Sequence, residues 1–143
     1  GHNGSKDSIS LIDVIAINDG DGNFMKYEQI PDLFEVTSKV VPFDYDKDDD
    51  IDLLITSRVK PNDYPNSPRS FLLENKNGKF EDISDSYLPN NGYLGMITDA
   101  EIIDINNDGK TDIILSGEWM GIKILVSQNN NKFIFGESHF PEF

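Results

Sequence analysis

Two nine-residue stretches of this chain carry oxygen-bearing side chains at alternate positions over their first five residues and again at their last, a spacing suited to holding a hard cation. The first stretch is Asp44-Tyr45-Asp46-Lys47-Asp48-Asp49-Asp50-Ile51-Asp52, and the second is Asp104-Ile105-Asn106-Asn107-Asp108-Gly109-Lys110-Thr111-Asp112. Both follow the form D-x-[DN]-x-D-x-x-x-D, so oxygen side chains fall at loop positions 1, 3, 5 and 9. Calcium takes six to eight oxygens, and short carboxylates alternating along a tight turn supply several from one stretch of chain. The expected side-chain ligands are Asp44, Asp46, Asp48 and Asp52 in one loop, and Asp104, Asn106, Asp108 and Asp112 in the other. The carbonyls of Asp50 and Lys110, at position 7, would complete the two shells. The expected cofactor is Ca²⁺, about two ions per chain.

The same chemistry in a helix-loop-helix unit needs a bidentate Glu at position 12, where this chain has Ile55 and Leu115. The flanks Val40-Val41-Pro42-Phe43 and Ile102-Ile103, with Leu53-Leu54-Ile55 and Ile113-Ile114-Leu115 after the loops, are apolar and β-branched, as strands require. An acidic run alone is more often a solvated face. Two matched copies on matched flanks shift the balance to metal. In the second loop Gly109 stands where the chain must turn sharply, and Asp49 takes that place in the first, a residue that visits the left-handed region more readily than most. The six Asp of the first loop repel one another unless a cation is bound, so that loop is expected to stabilise the fold chiefly when occupied.

The elements that must position these loops also repeat. Three polar turns, Asn18 to Phe24, Asn75 to Phe80 and Gln128 to Phe133, each follow a short apolar run, a strong hairpin signal. Phe24 and Phe80 stand 56 residues apart, Phe80 and Phe133 53, and Asp44 and Asp104 60. A period of about 50–60 residues with several short strands per unit predicts a propeller or a related array. The fold class is all-β, with β-propeller blades of four antiparallel strands. The whole chain, residues 1–143, reads as part of a single propeller domain of about two and a half blades. Residues 9–30 form a partial blade, 39–84 a blade carrying the loop 44–52, and 97–137 a blade carrying the loop 104–112. In the last blade the strands are expected near Thr98 to Ile105, Asp112 to Glu118, Ile122 to Ser127 and Lys132 to Gly136. Helix content is expected to be close to nil, because no window holds a sustained 3.6-residue apolar pattern. Propeller blades bury their faces against neighbours, so the remaining blades are expected from a longer parent chain or from other copies.

Composition excludes several function classes. With 26 acidic against 12 basic residues the net charge is −14, which disfavours nucleic acid and a bare anionic membrane surface. There is no cysteine, hence no disulfide and no thiol chemistry. His2 and His139 lie near opposite ends and suggest no nucleophile–histidine unit. A phosphate-cradling glycine loop is absent. No catalytic pair stands out among the 26 acids.

The loops with their following strands, Asp44 to Thr56 and Asp104 to Ser116, resemble FG-GAP/VCBS repeats, the blades of integrin-α-like propellers. The Pro-rich link Lys60 to Ser70, the segment Gly95 to Ala100 and Gly117-Glu118-Trp119-Met120 are similar to bacterial VCBS proteins related to cartilage acidic protein. The resemblance implies a rim of calcium sites whose ligands, carried over by position, are Asp44, Asp46, Asp48, Asp52, Asp104, Asn106, Asp108 and Asp112. It also implies an extracellular or cell-surface location, on a bacterial outer surface, and a role in adhesion or assembly. Asp49 in place of the loop glycine and Asn106 in place of an Asp depart from the family pattern.

The expected function is a secreted or surface calcium-stabilised interaction module, non-enzymatic, with a protein or glycan partner and no membrane insertion. The alternative is a lectin-like propeller or an accessory domain of a polysaccharide-active enzyme. Candidate ligand contacts are Tyr64, Arg69, Glu118 and Trp119. The competing reading of the link around Tyr64 and Arg69 is a rigid spacer fixed by Pro61, Pro65 and Pro68. For Trp119, after an apolar strand, blade-packing core is the first expectation and a sugar-stacking platform the second.

Overall fold

The computed structural model describes residues 14–27, 30–33, 35–60 and 62–137. His2, His139, Pro61 and the expected start of the partial blade at residues 9–13 lie outside the described residues.

Among the described residues, strands pair into three antiparallel sheets that do not close into a ring. The first sheet is the hairpin β1 (Ile15–Asn18) and β2 (Phe24–Tyr27). The second is a four-stranded blade in chain order, β3 (Val36–Phe43), β4 (Asp52–Val59), β5 (Phe71–Lys76) and β6 (Lys79–Asp82). The third repeats it with β7 (Met96–Ile103), β8 (Asp112–Glu118), β9 (Lys123–Ser127) and β10 (Phe133–Phe135). In the last blade the four strands lie within a few residues of their expected spans. The three polar turns are the three hairpins. Asn77 and Gly78, at φ 55° and 88°, form the two-residue turn that needs both central residues left-handed.

Adjacent residues on the central strands point to opposite faces, and both faces are covered. Leu54 and Leu72 pack with Ile113, Leu115 and Leu125 between the two full blades. Their neighbours Ile55, Phe71 and Leu73 pack with Leu33 on the other side of the same sheet. This two-sided burial explains why the strands after the loops are continuously apolar rather than alternating. Between the β1–β2 hairpin and the first full blade lies an apolar cavity of about 410 Å³, lined by Ile15, Ile17, Val40, Leu53 and Phe80 among others.

Two ion pairs tie the full blades together, Lys39 with Asp99 and Arg58 with Glu118. Among the described residues the fold is all-β with almost no helix, and the little there is lies in the connection between the blades. This connection holds one helical turn, α1 (Ser84–Tyr87), and a 3₁₀ turn at Pro89–Gly92. These turns seat Leu88 and Leu94 in the inter-blade core. Four residues are too few to show helical periodicity, so the sequence pattern could not reveal them. Among the described residues no helix is long and apolar enough to cross a membrane.

Candidate metal centre

Each acidic loop joins the first two strands of its blade, and local hydrogen bonds dictate its shape. At position 1, Asp44 accepts the N–H groups of Asp48 (3.2 Å) and Asp49 (3.2 Å), and Asp104 those of Asp108 (3.1 Å) and Gly109 (2.8 Å). Position 5 repeats the device two residues on: Asp48 accepts from Asp50 N–H at 2.9 Å, and Asp108 from Lys110 N–H at 2.9 Å. Asx-type turns of this kind wrap the backbone around its own carboxylates. Positions 4 and 6 are left-handed in both, with Lys47 at φ 67°, Asp49 at 72°, Asn107 at 58° and Gly109 at 80°.

Position 9 is a buried anchor. Asp52 and Asp112 are only 1% and 0% exposed. Asp52 accepts N–H bonds from Tyr45 at 3.1 Å and Asn75 at 2.8 Å, one on each oxygen. Asp112 does the same with Ile105 at 3.1 Å and Ser127 at 2.9 Å. Each carboxylate thus staples its loop entrance to the third strand of the blade. Burial pushes the Asp52 carboxyl up to about 6, against the two N–H bonds that favour its ionised form.

The two loops differ in their readiness to take a cation. In the first, carboxylate oxygens of Asp44, Asp46 and Asp48 all lie within 4.8 Å of one another. Asp46 Oδ1 is buried without a hydrogen-bond partner among the described residues. Burial, then the neighbouring Asp48 charge, raises the Asp46 carboxyl above its usual range. Three residues with convergent hard oxygens, one of which also carries an orphaned buried oxygen, fit a hard cation. In the second loop Asn106 replaces that orphan and satisfies itself. Its amide donates to Asp108 Oδ2 at 3.2 Å, while its oxygen accepts Asp108 N–H at 2.9 Å. Lysines also reach this loop: Lys110 Nζ lies 3.8 Å from Asp108, and Lys47 Nζ donates to the Gly109 carbonyl at 2.5 Å. The Lys110 N–H bond, first among the causes, holds the Asp108 carboxyl below its ordinary range. The loop with the family's glycine is therefore the less ready donor set.

Asp50, whose carbonyl was expected as a ligand, also uses its side chain, which accepts Asn77 N–H at 3.2 Å and so fastens the loop to the β5–β6 hairpin. Asn75 supports the same junction by donating its amide to the Ile51 carbonyl at 3.1 Å. No spacing rule singles out Lys47 or Asn75; they are found only by seeing which loop they touch.

The other candidate contacts separate into two groups. Arg69 is turned into the fold, where its guanidinium pairs with Asp82 (2.8 Å) and Asp85 (2.9 Å), donates to the Asn91 carbonyl (3.1 Å) and lies 4.8 Å from the centre of the Phe71 ring. Those contacts spend its donors on the link between blades. Tyr64, Glu118 and Trp119 gather at the opposite end of the blades from the acidic loops. Trp119 is 81% exposed, which overturns its first expectation as core.

A family model described as FG-GAP-like repeat matches residues 44–115, from the first acidic loop to the heart of β8. The search of curated proteins and the search of solved structures gave no significant match. The match takes in both acidic loops and just over half of the 143 residues, and the fold around them is the pair of four-stranded blades such repeats build. The chain belongs to the FG-GAP-like repeat family.

Proposed function

We propose that this chain is a calcium-stabilised, non-enzymatic β-propeller interaction module that works outside the cell or on its surface. The observation that carries the reading is the convergence of Asp44, Asp46 and Asp48, with Asp46 Oδ1 buried and unpartnered among the described residues. A bound Ca²⁺ would give that oxygen its missing partner and cancel the repulsion among the three carboxylates. The side chains of the chain itself do the rest. Asp52 and Asp112 hold the loops to the blades, and the loops hold the first two strands of each blade in register.

A further blade covering the exposed face of β7–β10 belongs to the same reading. Phe43 and Tyr45, at the entrance of the first loop, are 8% and 5% exposed, because the second full blade covers them. Their counterparts Ile103 and Ile105 are 44% and 37% exposed. The surface that is buried in one repeat is thus open in the next, and another blade, from the same chain or from another copy, would bury it. Calcium sites without special tuning fill only where calcium is abundant, which supports an extracellular location.

Thermal unfolding with and without a chelator, alongside calcium titration, tests the reading. We expect a chelator-induced fall in melting temperature that is reversed by calcium, with the first loop filling before the second. Stability indifferent to chelator, with no calcium bound, would sink it.

A further inference from the structure

Trp119 is the single tryptophan of the chain, and it is 81% exposed at φ 58°. A bulky residue in the left-handed region is an outlier that strains the backbone. The indole also forgoes the burial that a large aromatic normally gains. Two costs at one residue ask for a compensating use on the surface.

The turn is held from both sides. A Cβ on Gly117 would stand 2.2 Å from the Met96 carbonyl oxygen, so the chain there is pressed against its neighbour strand. Met120 packs against the inter-blade core, with its sulfur 2.6 Å and 2.7 Å from where side chains on Gly95 and Gly117 would begin. With residues 117 and 120 fixed inward, Trp119 projects outward.

Its neighbour comes from the other full blade. Tyr64, 57% exposed, sets its ring centroid 6.3 Å from that of Trp119, with the planes 87° apart. Tyr64 is held by a knotted link. Asp63 N–H donates to the Lys60 carbonyl at 3.1 Å, Asn66 N–H to the Asp63 carbonyl at 2.8 Å, and the Asn66 amide to the Asp63 carboxylate at 2.8 Å. Beneath the two loops, Arg58 Nε donates to Glu118 Oε1 at 2.8 Å, joining the strands that lead into them.

We propose that Tyr64 and Trp119 form a binding corner for a neutral glycan, with a pyranose ring stacked on the indole, the tyrosine ring as side wall, and the Arg58–Glu118 pair bonding the hydroxyls. A pyranose offers an apolar C–H face and a rim of hydroxyls, which two perpendicular rings beside a charged pair match in shape and chemistry. The net charge of −14 selects against uronate or sulfate sugars. This names the partner class of the interaction module proposed above and rests on that reading. The corner lies away from the acidic loops, so its test is separable from the calcium test.

The lone tryptophan supplies the signal. The calcium-loaded protein is titrated with cellohexaose, chitohexaose and maltohexaose while its fluorescence is read, and the same protein is applied to a glycan array with and without Trp119→Ala, Trp119→Gly, Tyr64→Ala and, as control, Tyr93→Ala at an exposed tyrosine of the link between the blades. We expect a saturable fluorescence change with at least one neutral glycan. Loss of array binding should be about tenfold or more for both Trp119 variants, smaller for Tyr64→Ala and absent for Tyr93→Ala. Trp119→Gly relieves the backbone strain, so with a melting temperature like that of the parent its loss of binding reports the missing indole rather than misfolding. No response to any neutral glycan, binding confined to anionic glycans, or binding unchanged without Trp119 would each overturn the proposal. A normal calcium-dependent melt beside a silent glycan titration overturns this corner alone.

Discussion

The ammonium of Lys47 donates a hydrogen bond to the carbonyl oxygen of Gly109 at 2.5 Å, so the first acidic loop reaches across and grips the turn of the second. Lys47 sits at φ 67°, a conformation that favours Gly or Asn, yet it is the residue whose length spans the gap. We expect Lys47→Gln to lose roughly 1 kcal/mol of stability, the scale of one exposed charge-assisted hydrogen bond. Chemical denaturation of both proteins at one calcium concentration measures it. Equal midpoints would mean the bridge holds nothing.

Asp52 and Asp112 should be the least replaceable members of their loops. Each carboxylate receives two backbone N–H groups in a dry site, and an Asn there would turn an N–H₂ toward one of those donors. Asp52→Asn and Asp112→Asn are each expected to cost about 2–4 kcal/mol, even at saturating calcium. Asp48→Asn, at an exposed position, is expected to act mainly through the metal, so its loss should vanish in chelator.

The loops should also be interconvertible in part. Asn106→Asp removes the amide that satisfies Asp108 and restores a third carboxylate to the second loop. Calcium binding at that loop is expected to tighten by about tenfold, read by calorimetric titration against the parent. An unchanged second binding step would put the difference between the loops elsewhere, in Lys110 and Lys47.

Stability should depend on pH with opposite sign in the two metal states. The folded Asp52 carboxyl sits near 6, above its ordinary 3.8, so the folded chain holds that proton more tightly than the unfolded one. Without calcium this contribution is complete below the unfolded value and is lost as pH rises through about 6. Asp46 shifts in the same direction. Asp63, Asp99 and Asp108 are lowered, so their contributions are lost only on acidification below the usual carboxylate range. In chelator the melting temperature is therefore expected to fall between roughly pH 4 and 6, whereas the added stabilisation by calcium should shrink as pH drops through that window. Melting curves across it, with and without calcium, decide the matter.

Much of this molecule is legible in its residues. Alternating oxygens at 44–52 and 104–112, and apolar runs of strand length after them, fix both loops and the strands they join. Hairpins follow from Asn-Gly chemistry, as at Asn77 and Gly78. What the sequence withheld depends on contacts between residues distant in the chain. Trp119 is exposed because Gly117 and Met120 pin its turn, and Arg69 is spent on Asp82 and Asp85 because the end of β6 and the one-turn helix after it bring them there. The inequality of the loops rests on where the Asn106 amide and the Lys47 ammonium reach, which loop spacing alone does not encode.

The two ion pairs between the full blades, Lys39 with Asp99 and Arg58 with Glu118, have a further consequence. In each pair the partners stand 60 residues apart, the same interval as Asp44 to Asp104, so each joins one site to its own counterpart in the next repeat. The first repeat contributes the cation both times and the second the anion. Two copies of either blade laid side by side would set lysine against lysine and arginine against arginine, or acid against acid, at the same two points. Succession along the array is thus written as a polarity, and it rejects a blade that arrives out of turn.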